Sequence, residues 1–323
     1  MRLALTSLPA LTFMYGTNFS PHSFISKKKR QECQQSRVPN RKALLIGIRY
    51  KDALSYRNDP VDLREVPHQE VQTWKGILTD YFSYENDDVT CMLDDEGNQK
   101  GNLWPCHQNI LAQIEALVDD IRPGDRRFLF IAAHGGQLRY EKDSTELNGN
   151  VFYTVECGGK TLLKITNDNL RHILVNRVPK GAKLTVVFEL CNSGTLLDLP
   201  FRIDPDPDSD KGATLSPARN PAKDVEGNIL CLSACENWQK AHHWESPLTK
   251  EQGIITSIVE ETLRKNGYKG REHRLNLVQL HRELLKPPDS SSQTGLSEAV
   301  QTPVVTIGKR IPADQLGKLS FRP

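Results

Sequence analysis

Two residues of this chain pair a reactive side chain with an unusual position. Cys191 closes the apolar run "VVFEL" and is followed at once by the turn-prone Asn192-Ser193-Gly194, while His134 closes "FLFIAA" and precedes Gly135 and Gly136. Each stands where a buried strand must leave its sheet and meet solvent. A thiolate is the strongest side-chain nucleophile, and a nearby imidazole raises the thiolate fraction near neutral pH. The glycines let backbone approach a substrate closely. If the two strands are neighbours, thiol and imidazole face one crevice. The backbone N–H groups of Gly135 and Cys191 can then hold the oxyanion of an acyl-transfer intermediate. Taken singly, Cys191 reads as a small buried hydrophobe and His134 as a loop residue. Their joint occurrence at two equivalent strand ends points to a nucleophile and its base.

The elements that must position this pair are legible as apolar runs. "KALLIGI" (42–48), "DVTCML" (88–93), "RFLFIAA" (127–133), "KLTVVFEL" (183–190) and "NILCLSA" (228–234) are continuous rather than alternating. Continuous runs suit strands covered on both faces, as in parallel sheets. Between them, Val71, Trp74, Leu78 and Tyr81 share one helical face, as do Ile110, Ile114, Leu117 and Ile121. "NDNLRHILVN", a helix beginning at Ile254 and Ile255, and "LNLVQLHRELL" complete the set. Alternating strand and helix predicts an α/β sheet flanked by helices on both faces, with ligands in the crevice beyond the strands' carboxyl ends. Residues 201–227, rich in Pro, Asp, Ser and Lys, read as an exposed, mobile linker, and 286–301 as a second loop before "TPVVTIG". Residues 1–40, with "SKKKR", read as a disordered tail, and 311–323 as a C-terminal tail.

Composition narrows the function classes. A net charge of +2 supplies no field that would gather nucleic acid or a membrane surface. No apolar stretch approaches the roughly 18 residues that span a bilayer. The opening "MRLALTSLPALTFMYG" sets Arg2 before a short apolar stretch, but contains Pro9 and lacks a small-residue cleavage site. The seven cysteines are odd in number and irregularly spaced, which argues against a disulfide framework. Nothing near Cys231 and Cys235 completes a zinc set. These features predict a reducing, cytoplasmic setting. "CGGKT" (157–161) fails as a phosphate-binding loop, since Thr154 stands where that motif needs glycine.

Several segments in order carry a resemblance to the metacaspases and, more loosely, to the caspases. "RKALLIGIRY" is similar to that family's first strand, "YRNDPVDL" to its Asn-Asp segment and "FLFIAAHGGQ" to its Ser-Gly-His-Gly strand. "VVFELCNSGTLLDLP" is similar to its Asp-Cys-Cys-His-Ser-Gly-Thr…Asp-Leu-Pro block, and "ILCLSACENWQKA" to the strand opening its small subunit. The resemblance implies a caspase-like α/β sandwich over 41–310. Its large-subunit-like part would be 41–200 and its small-subunit-like part 228–310. It implies a cysteine endopeptidase with Cys191 as nucleophile and His134 as base, acting on proteins or peptides after Arg or Lys. Asp59 and Glu189 match the acidic pocket for that basic side chain, and a linker carrying Lys211, Arg219 and Lys223 suits self-processing. It also implies calcium, at positions Glu156, Asn167, Asp168 and Asp198. One of these four is an amide here, so binding is expected to survive but weaken. Other departures are Glu189-Leu190-Cys191-Asn192 in place of Asp-Cys-Cys-His, and Ala132-Ala133 in place of Ser-Gly. A caspase-like module that keeps the fold and acts through protein binding is the alternative.

Overall fold

The apolar runs form strands where expected, and alternation along each strand sends its side chains into two separate cores. The computed structural model describes residues 38–53, 61–99, 101–138, 149–209, 212–218, 225–245, 251–267, 274–286 and 301–323. The elements begin β1 (Arg41–Gly47), α1 (Val66–Phe82), β2 (Val89–Leu93), α2 (His107–Val118) and β3 (Arg126–Ala132). Then come β4 (Gly135–Gln137), β5 (Asn150–Val155), β6 (Leu162–Thr166), α3 (Asn167–Ile173) and β7 (Lys183–Glu189). β8 (Phe201–Pro205), β9 (Ala213–Pro217), β10 (Asn228–Ser233), β11 (His243–Glu245), β12 (Glu251–Gly253) and α4 (Ile254–Lys265) follow. The chain closes with β13 (Leu275–Asn276), α5 (Leu277–Leu284), β14 (Val304–Ile307), α6 (Ala313–Leu316) and β15 (Ser320–Phe321).

The main sheet has the order β2-β1-β3-β7-β10-β14-β8-β9. Its first five strands are parallel and its last three antiparallel. Leu44 and Ile46 of β1 and Leu184, Val186 and Phe188 of β7 enter one core with α2 and α3. Ala43, Leu45 and Val187 enter the other with α1, α4 and α5. This is the α/β sandwich expected, mostly parallel, with helices on both faces.

Three expectations are corrected. Within 201–227, residues 201–205 and 213–217 are not loop but the hairpin β8–β9, which extends the sheet edge from β14. Its strands are short and polar because edge strands bury little, so their composition imitates a linker. Lys211, Arg219 and Lys223 lie outside the described residues. The stretch 311–323 is no tail: β15 pairs with β13, and fully buried Phe321 packs against Trp74 at 6.2 Å between rings. Cysteine pairing is the third correction. Cys106 and Cys157 form a disulfide with Cα atoms 4.9 Å apart. Residues 51 apart in sequence meet because the start of α2 bridges alongside Val155 at the end of β5. The cysteine count therefore gives no ground for a reducing setting. Residues 1–37, assigned to a disordered tail, and 287–300, most of the second loop, lie outside the described residues. No helix among the described residues is long and apolar enough to cross a membrane.

Candidate active site

β3 and β7 are adjacent and in register, Ala132 opposite Glu189. His134 and Cys191, each two residues further on, therefore leave the sheet side by side. The close fit depends on glycine, since a Cβ at Gly135 would collide with the Cys191 carbonyl oxygen. This contact brings the two backbones expected to form the oxyanion site together. Asn192 has a φ of 57°, a left-handed conformation that asparagine tolerates better than most residues. The turn that exposes Cys191 is thus built by the residue replacing the family's histidine. Ala132 and Ala133, which stand in place of Ser-Gly, are buried core residues.

The imidazole is held by its far nitrogen. Nε2 of His134 lies 2.8 Å from the Val61 carbonyl. A carbonyl only accepts, so Nε2 carries the proton and Nδ1 is the bare, basic nitrogen of the neutral ring. Burial pulls the His134 pKa below its ordinary value, against the Val61 hydrogen bond. Burial likewise pushes the Cys191 thiol up, partly offset by the Ala241 N–H, 3.3 Å from Sγ, and by the charge of Lys240. Both groups are neutral at pH 7 in this state, and among the described residues no hydrogen bond joins them.

Glu189 points from β7 toward the face covered by α1 and α4, where it receives hydrogen bonds from the first turn of α4. Thr256 donates to its Oε1 through N–H (2.8 Å) and Oγ1 (3.1 Å). Beside it lies a residue the sequence reading missed. Glu70 of α1 is fully buried, accepts from the Gly253 N–H at 2.6 Å and, among the described residues, finds no hydrogen-bond partner for Oε2. A Cβ at Gly253 would collide with both carboxyl groups. Burial raises both carboxyl pKa values, Glu189 to about 7, and Glu189 raises Glu70 further. The signal was present in the sequence: Glu70 falls on the buried stripe between Val66 and Trp74 at i+4 spacing. Asp59, the expected partner of Glu189, lies outside the described residues.

Of the four positions matched to calcium, three converge. Asn167 Nδ2 donates to Asp198 Oδ2 at 2.5 Å; burial raises the Asp198 pKa, the Asn167 hydrogen bond opposes it, and the nearby Asp168 charge adds a smaller upward push. Glu156 turns instead onto Gly159 in its own hairpin. No cluster of three or more His, Cys, Asp or Glu suited to a metal occurs among the described residues. Calcium requires six to eight oxygens, and here an amide N–H already occupies the Asp198 carboxylate. As folded, this donor set does not fit the ion.

Comparison with known proteins agrees with the geometry. The family described as "Metacaspase, peptidase C14 domain" matches residues 41–200, which contain both His134 and Cys191. Metacaspase-1B of Neurospora crassa is 34% identical over 162 residues, covering 50% of this chain and 35% of that protein. Metacaspase-1 of Candida glabrata is 32% identical over 184 residues, 56% of this chain and 44% of its own. The chain thus spans less than half the length of these curated relatives. Among solved structures, protein GSU0716 from Geobacter sulfurreducens shares the fold at a TM-score of 0.55 and 17% identity, covering 88% of this chain and 98% of that one.

Proposed function

The chain belongs to the metacaspase family of peptidase C14 domains, and from that premise we propose that it is a cysteine endopeptidase cleaving after Arg or Lys. The observation carrying this reading is the in-register exit of His134 and Cys191 from adjacent strands, with the imidazole oriented by the Val61 carbonyl. Nδ1 of His134 takes the thiol proton as Sγ attacks the scissile carbonyl carbon. The resulting oxyanion is received by the N–H groups of Gly135 and Cys191. The imidazolium then protonates the leaving amine as the C–N bond breaks. Water, deprotonated by the same imidazole, hydrolyses the thioester.

The basic side chain is assigned to Glu189 and Glu70. Two buried carboxyls this close share a proton, because both cannot ionise together. An incoming guanidinium or ammonium would replace that proton and meet the unpartnered Oε2 of Glu70. Cleavage within 201–227 at Lys211, Arg219 or Lys223 would follow from the same specificity. Mass spectrometry should then find fragments in wild type and none in Cys191→Ala. No step is routed through calcium, and activity should persist in chelator.

Hydrolysis of an arginyl peptide by wild type, lost in Cys191→Ala, tests the assignment; undiminished turnover in that variant would sink it. The neutral, unbonded state of the dyad favours one rival, a fold-retaining binding module. That rival predicts a Cys191 that does not react with an arginine-bearing electrophile.

A further inference from the structure

On the reading of His134 as the base, we propose that Tyr50 is its positioning residue, the group that fixes the main chain of His134 so that the imidazole, bonded to Val61, is aligned for proton transfer. Tyr50 lies in the turn after β1 with a φ of 65°. A bulky residue in the left-handed region is strained, and such strain persists only where the surroundings hold it. Here Asp94, just past the end of β2, holds it. Its carboxylate accepts from the backbone N–H groups of Arg49 (2.9 Å) and Tyr50 (2.8 Å) and lies 2.7 Å from Nε2 of His68. Burial would raise the Asp94 pKa, but these hydrogen bonds outweigh it and leave the group below its ordinary value. It is therefore a permanent anion under the turn.

The constrained turn aims the tyrosine ring at the base. The Tyr50 and His134 rings lie 4.9 Å apart. The hydroxyl accepts from the His134 backbone N–H at 3.0 Å and donates its one hydrogen to the Tyr153 carbonyl at 2.6 Å. Tyr153 returns the contact by donating its N–H to the His134 carbonyl at 2.9 Å. One buried phenol thus ties the exit of β3 to β5, and both backbone groups of the base are fixed. A tyrosine serving only the core could satisfy its hydroxyl anywhere; this one spends it on the main chain of His134. Burial pushes the phenol pKa far up, so it stays a neutral bridge. Among the described residues, the ionisable side chain in contact with the imidazole is Tyr50 from the turn after β1; Tyr153 of β5 meets His134 through its backbone, and Cys191 follows β7 on the adjacent strand.

The test compares kinetics on an arginyl peptide for wild type, Tyr50→Phe and Cys191→Ala. It also follows the pH dependence of Cys191 alkylation by iodoacetamide in wild type and Tyr50→Phe. Tyr50→Phe keeps the ring and loses the bridge. Its kcat should fall about tenfold with KM unchanged. Its acid limb should move up toward the ordinary imidazole value near 6.5, because a loosened ring regains water. The alkylation profile should shift in the same direction. Wild-type kcat and an unmoved limb would overturn the proposal, even if the melting temperature drops. If Tyr50→Phe fails to fold, Asp94→Asn, which frees the turn but keeps the phenol, should lower kcat without raising KM; unchanged kcat there would also overturn it. Turnover surviving in Cys191→Ala would instead refute the peptidase reading, a distinguishable failure.

Discussion

His134 and Cys191 leave the same sheet side by side but are secured differently. The histidine is bonded through its backbone N–H, its carbonyl and its Nε2, leaving Nδ1 as the ring's free nitrogen. The cysteine has a backbone N–H against its sulfur, and its loop is tied down at a distance, through Asn237. The side-chain Oδ1 of Asn237 accepts from Asn150 (2.7 Å) and the Thr195 N–H (2.8 Å), and its carbonyl accepts from Asn192 (2.5 Å) and Gln137 (2.6 Å). The proposed base is thus preorganised, whereas the proposed nucleophile sits on a loop braced from its flanks, with burial raising its thiol pKa. In the proposed mechanism, preorganisation falls on the proton acceptor, and the thiolate would form when substrate arrives.

This contrast can be broken at either side. Removing the base should have the largest effect: His134→Ala should lower kcat by about a thousandfold, read with an arginyl peptide. A loss below tenfold would mean that the thiol is activated by something else. Next comes the brace behind the base. Cys106→Ser opens the disulfide that ties β5 to α2, and loop entropy sets the expected loss at up to about 4 kcal/mol, measured by denaturant unfolding without reductant. If stability were unchanged, β5 would not depend on that tie.

On the side of the nucleophile, Asn237→Ala takes the acceptor from the Thr195 N–H and leaves the Asn150 amide only its bond to Thr195 Oγ1, at a cost of about 1–3 kcal/mol. Its kcat should fall more than its KM rises. A KM effect alone would move Asn237 from the nucleophile's loop to the substrate.

The smallest effect concerns the acidic pair. Glu189 and Glu70 have raised carboxyl pKa values, so between pH 4.5 and about 7 the folded state keeps protons that the unfolded state has released. Stability therefore declines as pH rises through that window. Glu70→Gln removes half of the pair and should melt at the wild-type temperature below pH 4.5 but a few degrees higher above pH 7. On arginyl substrates the same variant should show a raised KM. A melting difference independent of pH would mean the two groups do not share a proton.

The core of this molecule was legible because its five parallel strands are buried on both faces and read as unbroken apolar runs. The dyad was legible for the same reason, since His134 and Cys191 end two of those runs. What escaped lay where burial is partial or contacts are distant. The strands of the β8–β9 hairpin are short, with charged residues on β8, and the three-stranded β4–β5–β6 sheet stands apart from the main sheet on short strands. The Cys106–Cys157 pair depends on a bridge that spacing does not reveal. Phe321, near the chain's end, fills a space beside Trp74 that only the fold defines. Glu70 is the instructive miss, because a carboxylate on a buried stripe needs a reason to be there.

The central claim is that Cys191, served by His134, is a nucleophile presented to peptides with a basic residue. Its most direct test is mass-spectrometric mapping of the adduct formed by an arginine-bearing acyloxymethyl ketone peptide. The account predicts one adduct, on Cys191, formed in wild type and strongly slowed in His134→Ala. Equal labelling in that variant, or labelling that falls instead on the half-buried thiol of Cys91, would contradict it.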